Sequence, residues 1–313
     1  MRGVEPRTRK LTRNLALIDT ELLGRRGTLS TYVLLGPEIT LVEPGPAKSV
    51  EPLLQGLDEL SISPDEVARV LVTHVHLDHA GGAWRVPEVL PRATLHLSER
   101  GAPHLVEPSK LLASSLRVYG AAMEGLFGPV KPLNTTRVRV LKEGDVIETG
   151  AGPLKVLETP GHTRTHLSFH LEREGALFTG DAAGTYWAEG DLSWPATPPA
   201  DFSVERCLED QARFRALGPE WLLTAHFGPV KDPQSHCERI AEALRSWEPV
   251  VAGALAGGED YAAAARALKR FCNLQGRAAA WAEVVSGFLM NATGLGLDLK
   301  RRGRIAQHEP GGV

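Results

Sequence analysis

The stretch that most constrains this chain reads Thr73-His74-Val75-His76-Leu77-Asp78-His79-Ala80-Gly81-Gly82. Three histidines and one aspartate fall within six positions, directly after the apolar run Val70-Leu71-Val72, which reads as the end of a buried strand. In an extended loop alternate side chains project to one side. His74 and His76 can therefore converge on one point, while Asp78 and His79 reach a second. Neutral imidazole and carboxylate suit zinc, manganese or iron. A lone histidine is ordinarily a packed or solvated residue; four potential ligands this close together are a metal candidate. One local segment can begin two metal sites at once.

Three later segments share its character: Thr159-Pro160-Gly161-His162-Thr163, Thr179-Gly180-Asp181 and Thr224-Ala225-His226-Phe227-Gly228. Taken in this order with the first motif, they resemble the metallo-β-lactamase fold superfamily of metallohydrolases, over residues 14 to 230. The resemblance implies an α/β fold, a four-layered αβ/βα sandwich. It implies that His162 completes the site begun by His74 and His76. It also implies that Asp181 bridges the two sites and that His226 closes the second with Asp78, His79 and Asp181. The cofactors implied are two divalent metal ions, zinc first, with manganese or iron as alternatives. Two metals about 3.5–4 Å apart can hold a bridging water. At a water pKa of about 7 the resulting hydroxide attacks a carbonyl carbon or phosphorus. Asp78 is then a ligand first and, as the catalytic residue, an acceptor for the attacking water's proton second.

A small-molecule ester is the expected substrate: a thioester of the glyoxalase II kind or a lactone, with a phosphodiester next. The nucleic-acid-processing branch normally carries a large domain between the bridging aspartate and the final histidine, and Asp181 and His226 are too close for one. Flavin-coupled diiron relatives usually have glutamate where this chain has His76. Mononuclear iron persulfide dioxygenases keep the hydrolase-like motif and remain an alternative. A non-catalytic scaffold would show loss of ligands, and none is lost. Two departures from the family pattern stand out. Glu43 replaces the usual aspartate followed by glycine, and reads either as support for the metal loop or as a solvated carboxylate. Arg164-Thr165 replaces a common Pro-Gly, and Arg164 reads as facing an anionic substrate or solvent.

At 313 residues and 42% hydrophobic, the chain can bury a large core, as one large domain or as one domain plus an extension. The net charge of −3 and the lack of a basic block give no footprint for nucleic acid. Cys207, Cys237 and Cys272 form no CxxC pair and read as free thiols of a reducing compartment. No stretch resembles a membrane span, and the basic segment Met1 to Arg13 lacks a signal-peptide core, so a cytoplasmic protein away from membranes is expected. No interface or oligomeric state can be read from one chain.

Strands at 15–18, 31–35 and 39–42, a helical pattern over 47–60, a short capped helix from Ser63 and the strand before the metal loop make an α/β pattern. Residues 82–135 predict a strand at 93–97, a turn into a helix at 101–104 and one amphipathic helix through Leu112, Leu116, Tyr119, Met123 and Leu126, lying over the site as a partial cover. His104 and Tyr119 there can hydrogen-bond a substrate carbonyl or oxyanion, against plain readings as a surface histidine and a core tyrosine. Strands at 137–140, 146–147 and 154–157 are assigned to a second, mainly antiparallel half that presents His162. His166 and His170 read as structural, His166 at most supporting a ligand. Tyr186, Trp187 and Trp194 sit in a loop expected to line the entrance, with Tyr186 a candidate proton donor to a leaving group. A hydrolase domain over 1–231 is thus followed by a helical C-terminal extension over 232–313, ending in a basic segment, Lys300-Arg301-Arg302 and Arg304, read as solvated.

Overall fold

Period-two alternation along the strands decides the layering. A computed structural model describes residues 6–258 and 260–305; residues 1–5, 259 and 306–313, including the ends of the N-terminal segment and of the extension, lie outside it. One sheet has seven strands in chain order: β1 (Thr8–Lys10), β2 (Leu15–Asp19), β3 (Ser30–Leu34), β4 (Ile39–Val42), β5 (Val67–Leu71), β6 (Thr94–Ser98) and β7 (Val138–Leu141). It is an antiparallel meander from β1 to β4 and parallel from β4 to β7. The second sheet runs antiparallel through β8 (Val146–Thr149), β9 (Gly152–Glu158), β10 (Leu167–Leu171) and β11 (Ala176–Gly180). A ribbon of β12 (Thr185–Trp187) and β13 (Leu192–Trp194) follows, and β14 (Trp221–Thr224) then joins β11 in parallel.

Leu15 and Leu17 of β2 join a cluster with Val156, Phe169 and Phe178, which is the core between the sheets. The alternate residues Ala16 and Ile18 join Leu53 and Leu57 of α1 (Val50–Glu59) on the opposite face. That side also carries α2 (Leu77–Ala80), α3 (Val86–Val89), α4 (Ala102–Val106), α5 (Ser109–Tyr119) and α6 (Met123–Phe127). Beyond the second sheet, Leu157, Leu177 and Leu222 pack on Phe214 of α7 (Val204–Leu217) and Cys237 of α8 (Pro233–Ala256). The order helix, sheet, sheet, helix is the expected four-layered sandwich. Helices α9 (Tyr261–Cys272), α10 (Gly276–Ser286) and α11 (Phe288–Arg301) follow, and cluster with Trp194, Phe202 and Cys207. Buried Asn291 and Asp298 tie α11 to the core: Asn291 Oδ1 accepts from Thr197 N at 2.8 Å, and Asp298 Oδ2 from Val204 N at 3.3 Å. No helix among the described residues is long and apolar enough to cross a membrane.

Two expectations change. The strand expected at 137–140 is not in the antiparallel half: β7 pairs in parallel with β6, Leu95 opposite Val138. The turn at Glu143-Gly144-Asp145 looks like a hairpin but is a corner where the chain changes sheets, a distinction that local turn chemistry does not carry. The cover helix is also broken. Gly120, at φ +56°, ends α5, and α6 starts afresh at Met123. Its inward residues are Leu111 and Ser115 rather than Leu112 and Leu116; Leu116 is 48% exposed. The expected turn into a helix at 101–104 is present: Gly101 precedes α4, which holds His104.

Candidate metal centre

Five loops that leave the carboxyl ends of β4, β5, β9, β11 and β14 meet at one place. After β5 the backbone stays extended to His76 and then makes the single turn α2, so His74 and His76 lie on the loop and Asp78 and His79 on the turn. His162 follows β9, on a turn whose Gly161 N donates to Asp210 Oδ2 at 2.8 Å. Asp181 follows β11 through Gly180, which holds a φ of +47°. A Cβ at Gly180 would lie 2.6 Å from Thr73 Oγ1 and 2.7 Å from His166 Nε2, so a side chain there would push the Asp181 loop off the first motif. His226 follows β14.

Hydrogen bonds to the outer ring nitrogens set the tautomers. His162 Nδ1 lies 3.0 Å from Ala196 O and His226 Nδ1 lies 2.7 Å from Thr28 O. Carbonyl oxygens only accept, so each Nδ1 carries a proton and each Nε2 is turned inward, with a lone pair on the neutral His162 ring. Thr73 Oγ1 donates to the carboxylate of Glu43 and so accepts from His74 Nδ1 at 2.9 Å, which frees His74 Nε2 as well. Glu43 Oε1 also lies 3.4 Å from His79 Nδ1. Buried Glu43 thus touches one histidine of each group, directly or through Thr73. The supporting reading of this residue agrees with its position; the solvated one does not. His166 donates from Nδ1 to Thr159 Oγ1 at 2.9 Å and accepts from Asp181 N at Nε2, which leaves it no free nitrogen and a structural part.

The free nitrogens form two triplets. His76 Nδ1 lies 2.9 Å from His74 Nε2 and 3.1 Å from His162 Nε2. His226 Nε2 lies 3.2 Å from His79 Nε2 and 3.3 Å from Asp78 Oδ2. Asp181 lies between them, with Oδ2 3.4 Å from His79 Nε2 and 3.7 Å from His162 Nε2, and Oδ1 3.8 Å from His226 Nε2. Donor atoms about 2.1 Å from a shared tetrahedral cation sit about 3.4 Å apart, so these separations suit cations. The donor chemistry agrees. One proton on His76 Nδ1 can serve only one of the two lone pairs it faces, and buried Asp181 Oδ1 has no hydrogen-bond donor at all.

Charge divides the triplets. Burial, reinforced by neighbouring imidazoles, drives His74, His76 and His162 down, His162 to about 3, so all three are neutral at pH 7. Burial also opposes charge in the other group, but mutual attraction overcomes it. The carboxyls of Asp78 and Asp181 fall well below their usual range beside His79 and His226. The His79 and His226 imidazoles rise above theirs, with Asp181 the strongest pull on each.

A cavity of about 510 Å³ opens over this cluster, lined by His76, Asp78, His162 and Asp181 and by the cover helices α4 to α6. His104 and Tyr119 both line it. Burial and the charges of Asp78 and Asp181 push the Tyr119 hydroxyl up, so it stays protonated at neutral pH. Tyr186 is elsewhere: its hydroxyl donates to Asp191 Oδ1 at 3.0 Å and its ring meets His236 edge-on. The β12–β13 ribbon carries Trp187 against Trp281 and Trp194 against Trp247, toward the extension. The cavity wall is completed instead by the next part of the loop, Ala196 and Pro198 to Asp201, and by Val284, Val285 and Met290 of the extension. Arg164 pairs with Asp201 at 3.8 Å, both exposed. Thr73 escaped the sequence reading, although β4 and β5 pair in parallel with Val42 opposite Leu71, which brings the loops that leave the two strands, and with them Glu43 and Thr73, together.

Residues 23–226 match the family model described as the metallo-beta-lactamase superfamily. The chain is 28% identical over 229 residues to the metallo-beta-lactamase fold-containing protein of Sulfurisphaera tokodaii, covering 70% of this chain and 80% of that one. It is 31% identical over 153 residues to a hydroxyacylglutathione hydrolase of Synechococcus, but only 48% of this chain and 47% of that enzyme are spanned. Among solved structures, a metallo-beta-lactamase family protein of Thermus thermophilus superposes with a TM-score of 0.72 at 23% identity, covering 96% of this chain and 98% of the other.

Proposed function

Since the chain belongs to the metallo-β-lactamase superfamily, a family of hydrolases, we propose that it hydrolyses a small-molecule ester, a thioester or a lactone, with two divalent cations. His74, His76 and His162 would hold one cation, and Asp78, His79 and His226 the other, with Asp181 shared; zinc is the first choice, and manganese or iron also suits these donors. The observation that carries the reading is Asp181, whose carboxylate reaches both triplets. Cations so held would polarise a carbonyl oxygen and would bring the pKa of water to about 7. The protein's own groups do the rest. Asp78, ionised at neutral pH, is better suited to holding a cation than to storing a proton, and takes the attacking water's proton only transiently. Tyr119, kept protonated, donates a hydrogen bond to the oxygen that gains charge. The partial likeness to hydroxyacylglutathione hydrolases supports a thioester over a phosphodiester.

The test is a paired assay on zinc- or manganese-loaded protein with S-lactoylglutathione and bis-p-nitrophenyl phosphate. Preference for the thioester is expected; preference for the phosphodiester would overturn the acyl reading. Elemental analysis should give two transition-metal ions per chain. One iron per chain, with oxygen uptake on glutathione persulfide, would move the protein to the oxidoreductases.

A further inference from the structure

The cavity walls differ with depth. Its buried or half-buried apolar side chains include Leu77, Leu111, Leu126, Phe127, Val285 and Met290, contributed by the metal loop, the cover and the extension. Its mouth carries four exposed charged side chains: Lys110 and Arg117 on α5, Asp201 and Glu283 opposite. The two acids are already matched, Asp201 with Arg164 at 3.8 Å and Glu283 with Lys269 at 3.4 Å. Lys110 and Arg117 make no ion pair or hydrogen bond with any described residue. They stand seven residues, about two turns, apart on α5, and so share a face about 10 Å long. Two unmatched cations at the mouth therefore lead into an apolar interior that runs to the metal centre.

We propose that the substrate is an acyl thioester or ester with an apolar acyl chain and an anionic leaving group, the chain lying against Leu111, Phe127 and Val285 and the anion meeting Lys110 and Arg117. This rests on the ester reading above. The scissile carbonyl then sits where the apolar wall meets His76, Asp78, His162 and Asp181. A small hydroxyacyl group would leave most of the apolar wall wet, whereas each methylene buried there adds about fourfold in affinity. The anion can be a phosphate or a carboxylate, since both suit an exposed lysine and arginine.

The experiment titrates the full-length, metal-loaded protein calorimetrically with non-hydrolysable thioethers. S-octyl-coenzyme A is compared with S-methyl-coenzyme A, with S-octylglutathione and with the neutral S-octyl-N-acetylcysteamine. The octyl ligand should bind tighter than the methyl one by about fourfold per methylene until the cavity fills. The double variant K110E/R117E should weaken the preferred anionic octyl ligand about tenfold relative to the neutral one, and added salt should do the same. The coenzyme A and glutathione arms tell phosphate from carboxylate. Equal binding of octyl and methyl ligands, or an unchanged anionic preference in K110E/R117E, would overturn the proposal. Turnover of the matching octanoyl and acetyl thioesters separates the two readings. Tight octyl binding with no turnover of any thioester would sink the ester reading and leave the cavity's occupant standing. Turnover indifferent to chain length would sink the occupant alone.

Discussion

Replacing Glu43 should weaken both prospective metal sites, because it anchors a histidine in each. Its carboxylate accepts from Thr73 Oγ1, which accepts from His74 Nδ1, and it faces His79 Nδ1 at 3.4 Å. Losing such an outer partner costs about 10- to 100-fold in metal affinity. Glu43→Gln keeps an acceptor for Thr73 but removes the charge beside His79, so about tenfold is expected, or about 1.4 kcal/mol. Glu43→Ala removes both contacts and frees Thr73 to turn its hydroxyl away from His74; about 100-fold follows, or about 2.7 kcal/mol. The assay is a zinc competition titration of metal-stripped protein against a chromophoric chelator, resolved into two steps, with circular dichroism to establish that each variant is folded. Both steps should weaken, and Ala more than Gln. A folded Ala variant with both affinities within twofold of the parent would refute the anchoring argument. A loss confined to one step would refute the claim that one carboxylate serves both triplets.

Asp181→Asn removes the charge shared by the triplets while keeping the side chain's shape, so kcat/KM on any accepted ester should fall about a hundredfold or more. Retained turnover in a folded variant would contradict the bridging assignment. Asp210 supports a clear pH prediction: burial pushes its carboxyl up to about 7, outweighing the hydrogen bond from Gly161 N. The folded state then binds more protons than the unfolded chain between about pH 4 and pH 7, so Asp210's contribution to stability falls as pH rises through that window. Asp210→Asn keeps the acceptor for Gly161 and removes the ionisation cost, which should raise stability above pH 7 by about 2–4 kcal/mol and do little near pH 4. Urea unfolding curves at both ends decide it: an equal effect at the two pH values would show that ionisation is not the cause.

Some of this was legible in the sequence, and the division follows from how far each signal reaches along the chain. The spacing of His74, His76, Asp78 and His79 is local: one extended stretch and one helical turn suffice to aim four side chains. His162, Asp181 and His226 each follow an apolar strand and a turn, which is why an ordered reading could set them beside the first motif. Phase and partner choice are not local. On α5, positions 111 and 115 repeat at the same interval as 112 and 116, so periodicity detects the helix without choosing its buried face; packing against the rest of the protein chooses Leu111 and Ser115. Tyr186 reads as an entrance residue because it lies in a Gly- and Pro-rich loop soon after Asp181, yet three residues of backbone are enough to reach the β12–β13 ribbon, which turns it to Asp191.

The same division separates chemistry from specificity. The metal centre is built from residue types, and types can be read one by one. The cavity is built from surfaces that meet only when α5, α6 and the corner between α10 and α11 pack around the metal loop, drawing its walls from residues as far apart as Leu22 and Met290. The extension can therefore change what the enzyme accepts without touching a metal ligand. Among related chains that keep the seven candidate ligands of the first motif and the later loops, the substrate should vary with the positions that correspond to Lys110, Arg117, Val285 and Met290 rather than with the centre itself.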